Sequence, residues 1–232
     1  VHFWSNHFAV SADKQPMPAL AGLYENEAIR PNVAGNFADL LMACEQHPAM
    51  ITYLDNQRSI GPNSTLGRRA NRAGGERNIG LNENLAREIL ELHTLGVDGG
   101  YTETDVKEVA RCFTGWTFDF DTGLFDYRPE YHDHFQKTVL GSYLPPNQAA
   151  LADGQDVLDA VAFHPGTARH IARKLCRRFI SDDPPQNVVD DAAAVFEAGH
   201  SDPDQLKQVV RKILLSDEFL TTWGEKVKRP FE

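Results

Sequence analysis

Residues 82–96 read NENLAREILELHTLG and predict an α-helix with an acidic side chain on its apolar face. At about 100° per residue, five apolar side chains fall on one arc of this helix. They are Leu81, Leu85, Ile89, Leu92 and Leu95. Glu88 projects inside that arc, where an unpaired charge costs several kcal/mol or more. Glu88 is therefore a candidate for either an internal ion pair or a functional carboxylate.

Cations for such a pair are present on a second helix, predicted at 167–179. Three arginines share one side of it and two further cations flank its apolar face, in the order Arg169, Arg173, Lys174, Arg177 and Arg178. We expect Arg173 or Lys174 to contact Glu88, and this face to serve as an ion-paired surface or as an anion site. On the acidic helix, Asn84 and Glu91 line the edge of the arc beside Arg87.

The ordered motifs of the chain resemble those of a bacterial family known as domain of unknown function 1800. The matching residues are Trp4 with Asn6-His7-Phe8; His47-Pro48-Ala49-Met50 with Tyr53-Leu54-Asp55-Asn56; Asn82-Glu83-Asn84 with Arg87-Glu88, Glu91-Leu92 and Thr94-Leu95-Gly96; Tyr101-Thr102 with Asp105-Val106; Phe113-Thr114-Gly115-Trp116; His132-Asp133 with Lys137-Thr138 and Leu140-Gly141; and Ala168-Arg169, Ile171 to Leu175 and Phe179. The resemblance implies an exported bacterial protein, periplasmic or extracellular, and no particular activity. It also implies that this chain is the later portion of a longer protein, whose missing N-terminal part would be a partner.

Composition is typical of a globular domain. The 232 residues are 41% hydrophobic and 24% charged, enough for a sizeable core, and we predict a single helical domain over 1–232. The net charge of −10 argues against nucleic-acid binding, which needs a basic surface. No apolar run approaches the roughly 18 residues of a membrane span.

The three cysteines are far apart and lack zinc-like spacing. Cys44, Cys112 and Cys176 are predicted to be buried free thiols. Their odd number does not settle the redox compartment.

Periodicity predicts a mainly α, irregular helical domain with one small β-hairpin. Helices are expected at 36–45, 49–54, 84–95, 102–115, 156–163, 167–179, 188–198 and 205–215, the hairpin at 117–128 and a short strand at 138–140. Thr102 and Asp105 have the spacing of a capping box.

Residues 55–80 are predicted to form a long loop that contains five arginines. This length exceeds that of a passive connector in a compact domain. The loop is either a solvated linker or a flap that captures an anionic ligand or the acidic helix.

His132, Asp133 and Lys137 form a second candidate cluster, which the family resemblance includes. His132 and His134 lie two residues apart in an extended segment, so they point the same way and are candidate metal ligands. The alternatives are a catalytic or ligand-binding His132-Asp133 pair without metal, or a hydrogen-bonded structural turn.

Two further residues are candidates for a binding pocket. His7 lies within an aromatic stripe, where a histidine is either a satisfied core residue or part of a site. Trp116 is expected to hold a substrate together with Asn84.

Two hypotheses of function remain, because the chain lacks the motifs of standard hydrolases, kinases, dehydrogenases and zinc proteases. The first is a binding or scaffold module for a cell-envelope protein, a polysaccharide or another extracellular partner. The second is an enzyme in which Glu88, His132 and Asp133 share one pocket, with or without a metal. The sequence names no cofactor.

Overall fold

Helices dominate the computed structural model of the chain, which describes residues 1–72, 80–222, 224 and 226. In chain order they are α1 His2–His7, α2 Met17–Tyr24, α3 Phe37–Gln46, α4 Pro48–Tyr53, α5 Thr65–Arg72, α6 Asn84–Glu88, α7 Glu103–Cys112, α8 Ala152–Ala162, α9 Pro165–Phe179, α10 Gln186–Ala198, α11 Gln205–Leu214 and α12 Asp217–Thr221. The predicted mainly α fold is confirmed.

Side-chain caps define where several of these helices begin. The side chain of Asn36 accepts a hydrogen bond from the backbone of Ala38 and starts α3. The capping box of Thr102 and Asp105 is complete at the start of α7, as predicted. Both His-Pro dipeptides start helices in the same way: His47 caps α4 and His164 caps α9, each followed by proline at the first helical position.

Two antiparallel hairpins interrupt the helices. Strand β1 Trp116–Phe118 pairs with β2 Phe125–Tyr127, which confirms the predicted hairpin. Strand β3 Lys137–Val139 pairs with β4 Ser142–Leu144 in a second hairpin, of which the sequence predicted only the first strand. Its turn places Leu140 and Gly141 at positive φ. Leucine at the first of these positions gives none of the usual Asn-Gly or Asp-Gly signal.

The core is one hydrophobic cluster that runs from Trp4 in α1 to Ile213 in α11. Helix α10 packs against α9 and α11, and α3 packs against α8. The cysteines are buried free thiols, as predicted. Among the described residues, no helix is both long enough and apolar enough to span a membrane.

The structure differs from the prediction at the unpredicted helices α1, α2 and α12 and in two further segments. Part of the Arg-rich stretch 55–80 forms helix α5, a single-turn 3₁₀ helix forms at Asn56–Arg58, and residues 73–79 lie outside the described ranges. The predicted helix over 84–95 continues from α6 into a π-helical turn at Ile89–His93. The extra residue in this turn shifts the register, so Leu92 is 47% exposed although it was predicted to be apolar core, and His93 points inward instead.

Candidate functional site

A buried carboxylate and imidazole meet beneath the π-helical turn. Glu45 is on the inward face of α3 and has no exposed surface, and its Oε1 lies 2.7 Å from Nδ1 of His93. Thr94 Oγ1 donates to the carbonyl oxygen of Ile89 at 2.6 Å, which closes the wider turn that brings His93 inward. π-Helical turns are frequent at functional sites because they re-aim side chains.

His7 joins this pair to a lysine on α9. Nε2 of His7 donates to the carbonyl oxygen of His93 at 3.0 Å, so Nδ1 accepts, and Lys174 Nζ donates to it at 2.7 Å. Burial, and then the charges of Lys174 and His93, lower the pKa of His7 well below its ordinary value. Burial also lowers the pKa of Lys174. We call Glu45, His93, His7 and Lys174 the buried histidine cluster.

Glu88 lies beside the buried histidine cluster without joining it. The side chain is half-buried, and no hydrogen bond or ion pair links it to any residue in the described ranges. The predicted contact with Arg173 or Lys174 is wrong, since Arg173 donates to Gln186 and Lys174 to His7. Burial raises the pKa of Glu88; the charge of His93 opposes the rise and that of Glu45 adds to it. Glu88 is thus a carboxylate that holds a proton more readily than usual.

A cavity of about 560 Å³ opens next to the cluster, between residues 95–100 and the first half of α9. Arg169, Arg173 and His170 line it from the helix, and Asp98 lines it from the loop. We call it the α9 cavity. The ring of His170 lies 6.5 Å from that of His7, which connects the cavity to the buried histidine cluster.

The backbone conformation of the loop on the other side of the α9 cavity requires a glycine. Gly96 has a φ of +87°, and a Cβ atom there would lie 2.6 Å from Nδ1 of His170. The imidazole of His170 therefore packs directly on the backbone of the loop. Its Nε2 is buried without a hydrogen-bond partner among the described residues, and burial followed by the charge of Lys174 lowers its pKa to about 4.

His132 and Asp133 belong to a different polar network, whose hydrogen-bonding groups are well occupied. Nδ1 of His132 lies 2.8 Å from the carbonyl oxygen of Thr114, and Nε2 lies 3.0 Å from Oδ2 of Asp153. Lys137 is 2% exposed and its Nζ donates to the same Asp153 oxygen at 2.5 Å.

Asp133 is fully buried and accepts from Arg111 Nη2 at 2.8 Å and from the backbone of Asn63 at 3.0 Å. This arrangement favours the structural turn among the three alternatives. No hydrogen bond or ion pair in the described part of the chain joins the network to α6, so the structure shows no direct link between Glu88 and the His132-Asp133 pair.

The proposed metal ligands of the turn point at different partners. His134 Nε2 lies 3.0 Å from the carbonyl oxygen of Pro129, whereas His132 faces Thr114 and Asp153. In the ranges that the structure describes, no set of three or more His, Cys, Asp or Glu side chains is arranged to hold a metal ion.

The other predicted site residues have structural contacts. Arg87 lies between Glu83, Glu91 and Glu103 in an ion-pair network, with its shortest contact at 2.6 Å to Glu103. The side chain of Asn84 reaches the carbonyl oxygen of Leu54 at 3.5 Å.

Trp116 is closed off from solvent. It has no exposed surface and packs on Gly154, where a Cβ atom would lie 2.5 Å from the indole ring. Trp116 is therefore a core residue in this structure rather than a wall that a substrate can reach.

Sequence reasoning missed Glu45, His93 and His170. Glu45 was detectable, because it follows Leu41 by four residues and Phe37 by eight and so falls on the apolar face of α3. His93 was not detectable from a period of 3.6 residues, since its inward direction depends on the π-helical turn.

Comparison with known proteins agrees with the motifs. The family model described as "Protein of unknown function (DUF1800)" matches residues 1–232. No curated protein and no solved structure matches the chain. Since the match covers the whole chain, the protein belongs to the DUF1800 family.

Proposed function

We propose that the chain is a binding module whose α9 cavity receives an anionic group of a cell-envelope or extracellular partner, such as a carboxylate of an acidic polysaccharide. The observation that supports this most directly is the pair of guanidinium groups, Arg169 and Arg173, that line one concave surface. Arginine is suited to this use because its planar fork binds carboxylate and phosphate groups through two parallel hydrogen bonds.

The electrostatic setting also favours an anion. The protein carries a net charge of −10, yet two arginines and one aspartate line this cavity. Arg169 makes no hydrogen bond or ion pair with any described residue, so its guanidinium is available to a ligand. The volume of about 560 Å³ is within the range of small-molecule sites.

Isothermal titration calorimetry with trigalacturonate and with the uncharged maltotriose tests the proposal. We expect binding of the acidic sugar to depend on both arginines, and added salt to weaken it because the attraction is ionic. Any binding of maltotriose should be independent of salt and of these arginines. Arg169→Gln and Arg173→Gln should each raise Kd about tenfold or more, the cost of losing one charge-assisted contact.

Arg177→Gln is the matched control, because Arg177 is exposed on the same helix and does not line the cavity. Its Kd should equal that of the unmodified protein. Binding of the acidic sugar that salt and Arg169→Gln leave unchanged, or an equal loss in Arg177→Gln, contradicts the proposal.

A second candidate function is catalysis of proton transfer by Glu88, with the Glu45 and His93 pair behind it. The observation in its favour is a half-buried carboxylate without a partner among the described residues, whose pKa is raised by burial. His132 and Asp133 are left out of this candidate because they lie in the separate network.

Mass spectrometry of incubated trigalacturonate tests the catalytic candidate. If Glu88 donates a proton to a glycosidic oxygen while water adds to the anomeric carbon, the unmodified protein hydrolyses the sugar, Glu88→Gln does not, and Glu91→Gln retains hydrolysis. Intact sugar after prolonged incubation with the unmodified protein counts against catalysis on this substrate class and leaves the binding proposal standing.

A further inference from the structure

A second cavity of about 460 Å³ lies between the first hairpin and helices α2 and α4. We call it the hairpin cavity. Phe118 and Phe120 form one wall, with ring centroids 4.7 Å apart, and Pro16 and Leu20 form part of the opposite wall. Phe120 is 70% exposed, a large amount of apolar surface to leave in water at the mouth of a cavity.

Two oxygen atoms beneath the aromatic wall lack hydrogen-bond partners. Thr52 is 8% exposed and lines the cavity, and its Oγ1 has no partner among the described residues. Oε1 of Gln57, another lining residue, is also buried and unpaired there. Each unsatisfied buried polar group costs about 1–3 kcal/mol, so hydroxyl or N–H donors supplied by a ligand have a place to bind.

Planar and charged groups complete the polar side of the cavity. Lys14 Nζ donates to Asp55 Oδ2 at 2.8 Å and to the carbonyl oxygen of Tyr53 at 2.5 Å, which leaves this pair nearly neutral. Arg58 is exposed and its side chain has no partner within the described ranges. Carboxylate, amide and guanidinium groups each present two hydrogen-bonding atoms side by side, the spacing that suits adjacent hydroxyl groups.

We infer that the hairpin cavity is a carbohydrate site that holds a pyranose ring against Phe118 and Phe120. A pyranose has one face of C–H groups that can lie on an aromatic ring, and its edge carries several hydroxyl groups for Thr52, Gln57 and Arg58. A purely apolar ligand would leave these polar groups without partners. The paired Lys14 and Asp55 give the site no strong preference for ionic charge.

Saturation-transfer difference NMR tests this inference with maltose, cellobiose and N,N′-diacetylchitobiose, and with toluene as an apolar ring of similar width. We expect at least one disaccharide to receive saturation at its C–H protons. In Phe120→Ala, Kd for that disaccharide should rise about tenfold, which corresponds to a loss of about 1.4 kcal/mol of aromatic stacking.

Leu124→Ala is the matched control, since Leu124 is 67% exposed on the same hairpin and does not line the cavity. It should bind as the unmodified protein does, and circular dichroism should show that both variants are folded. Saturation of toluene alone, transfer to none of the three disaccharides, or unchanged binding in Phe120→Ala overturns the inference. Arg169→Gln should leave this binding intact, which separates the hairpin cavity from the α9 cavity.

Discussion

At the scale of single residues, the most consequential side chain is Glu45. It is fully buried, and its Oε1 lies 2.7 Å from Nδ1 of His93. The two atoms are close enough for an ion pair, but neither they nor Oε2 makes a hydrogen bond with any described residue. We expect Glu45→Ala to lower the free energy of unfolding by about 3 kcal/mol, since it creates a cavity and strands His93. Urea denaturation followed by circular dichroism measures this change.

A second glutamate provides the comparison. Glu27 pairs with His47 at 3.2 Å, but its side chain is 63% exposed. Ion pairs at the surface contribute about 0–1 kcal/mol, so Glu27→Ala should be close to neutral. Equal losses in the two variants would mean that the burial of Glu45 does not determine its contribution.

The lowered pKa values of two buried histidines predict how the stability of the protein depends on pH. Burial first, and then the charge of Lys174, lower the pKa of His170 from 6.5 to about 4. The neutral ring is therefore favoured by folding, and the corresponding stability is complete above pH 6.5 and is lost as the pH falls from 6.5 towards 4. The lowered pKa of His7 acts in the same direction.

We expect the free energy of unfolding to decrease between pH 6.5 and pH 4, and to decrease less in His170→Asn. Urea denaturation at several pH values gives both slopes. Identical slopes in the two proteins would show that His170 keeps an ordinary pKa in the folded state.

At the scale of elements, the π-helical turn Ile89–His93 determines which side chains face the core. Ile89 is fully buried, whereas Leu92 is 47% exposed. We expect Ile89→Ala to cost about 2–4 kcal/mol and Leu92→Gln to stay within about 0.5 kcal/mol of the unmodified protein. Thermal or urea denaturation compares them. A large loss in Leu92→Gln would indicate a regular α-helix, in which Leu92 faces the core.

This turn also marks the limit of what the sequence predicted. Helices with regular periodicity and local caps, such as α3 and α7, were predicted within a few residues, because both signals lie in adjacent positions. Glu88 was singled out by its place among leucines, and the structure leaves its side chain half-buried. The predicted partner of Glu88 was wrong, because the sequence alone does not give the distance between α6 and α9. The inward direction of His93 results from the change of helical period, which the sequence did not indicate.

Helix α5 was missed for a different reason. Its residues Thr65–Arg72 contain three arginines and one large apolar side chain, so the repeated apolar residues that predicted the other helices are missing here. A tertiary contact helps to position its first turn: the backbone of Leu66 donates to the carbonyl oxygen of Glu130 at 3.0 Å. That contact follows from the fold and leaves no local pattern in the sequence. A local cap was also overlooked, since the backbone of Gly67 donates to Ser64 Oγ at 2.9 Å.

At the scale of the whole molecule, buried hydrogen bonds connect the early and late parts of the chain. Gln205 is 2% exposed; its Oε1 accepts from the backbone of Phe37 at 2.8 Å, and its Nε2 donates to the carbonyl oxygen of Phe196 at 2.7 Å. The start of α3 is therefore joined to α10 and α11. If residues 1–232 form the predicted single domain, a change at Gln205 must weaken both parts together.

We expect Gln205→Ala to lower the free energy of unfolding by about 2 kcal/mol, because it leaves buried backbone groups without partners. The free energy of unfolding measured by tryptophan fluorescence should fall as much as that measured by far-ultraviolet circular dichroism. The reason is that Trp4 and Trp116 lie in the same core cluster as Phe37 and Phe196. Gln208→Ala, an exposed position on α11, should leave both transitions in place. If the unfolding transition shifts in circular dichroism and stays in place in fluorescence, the two parts unfold separately. The chain would then consist of two domains rather than the predicted one.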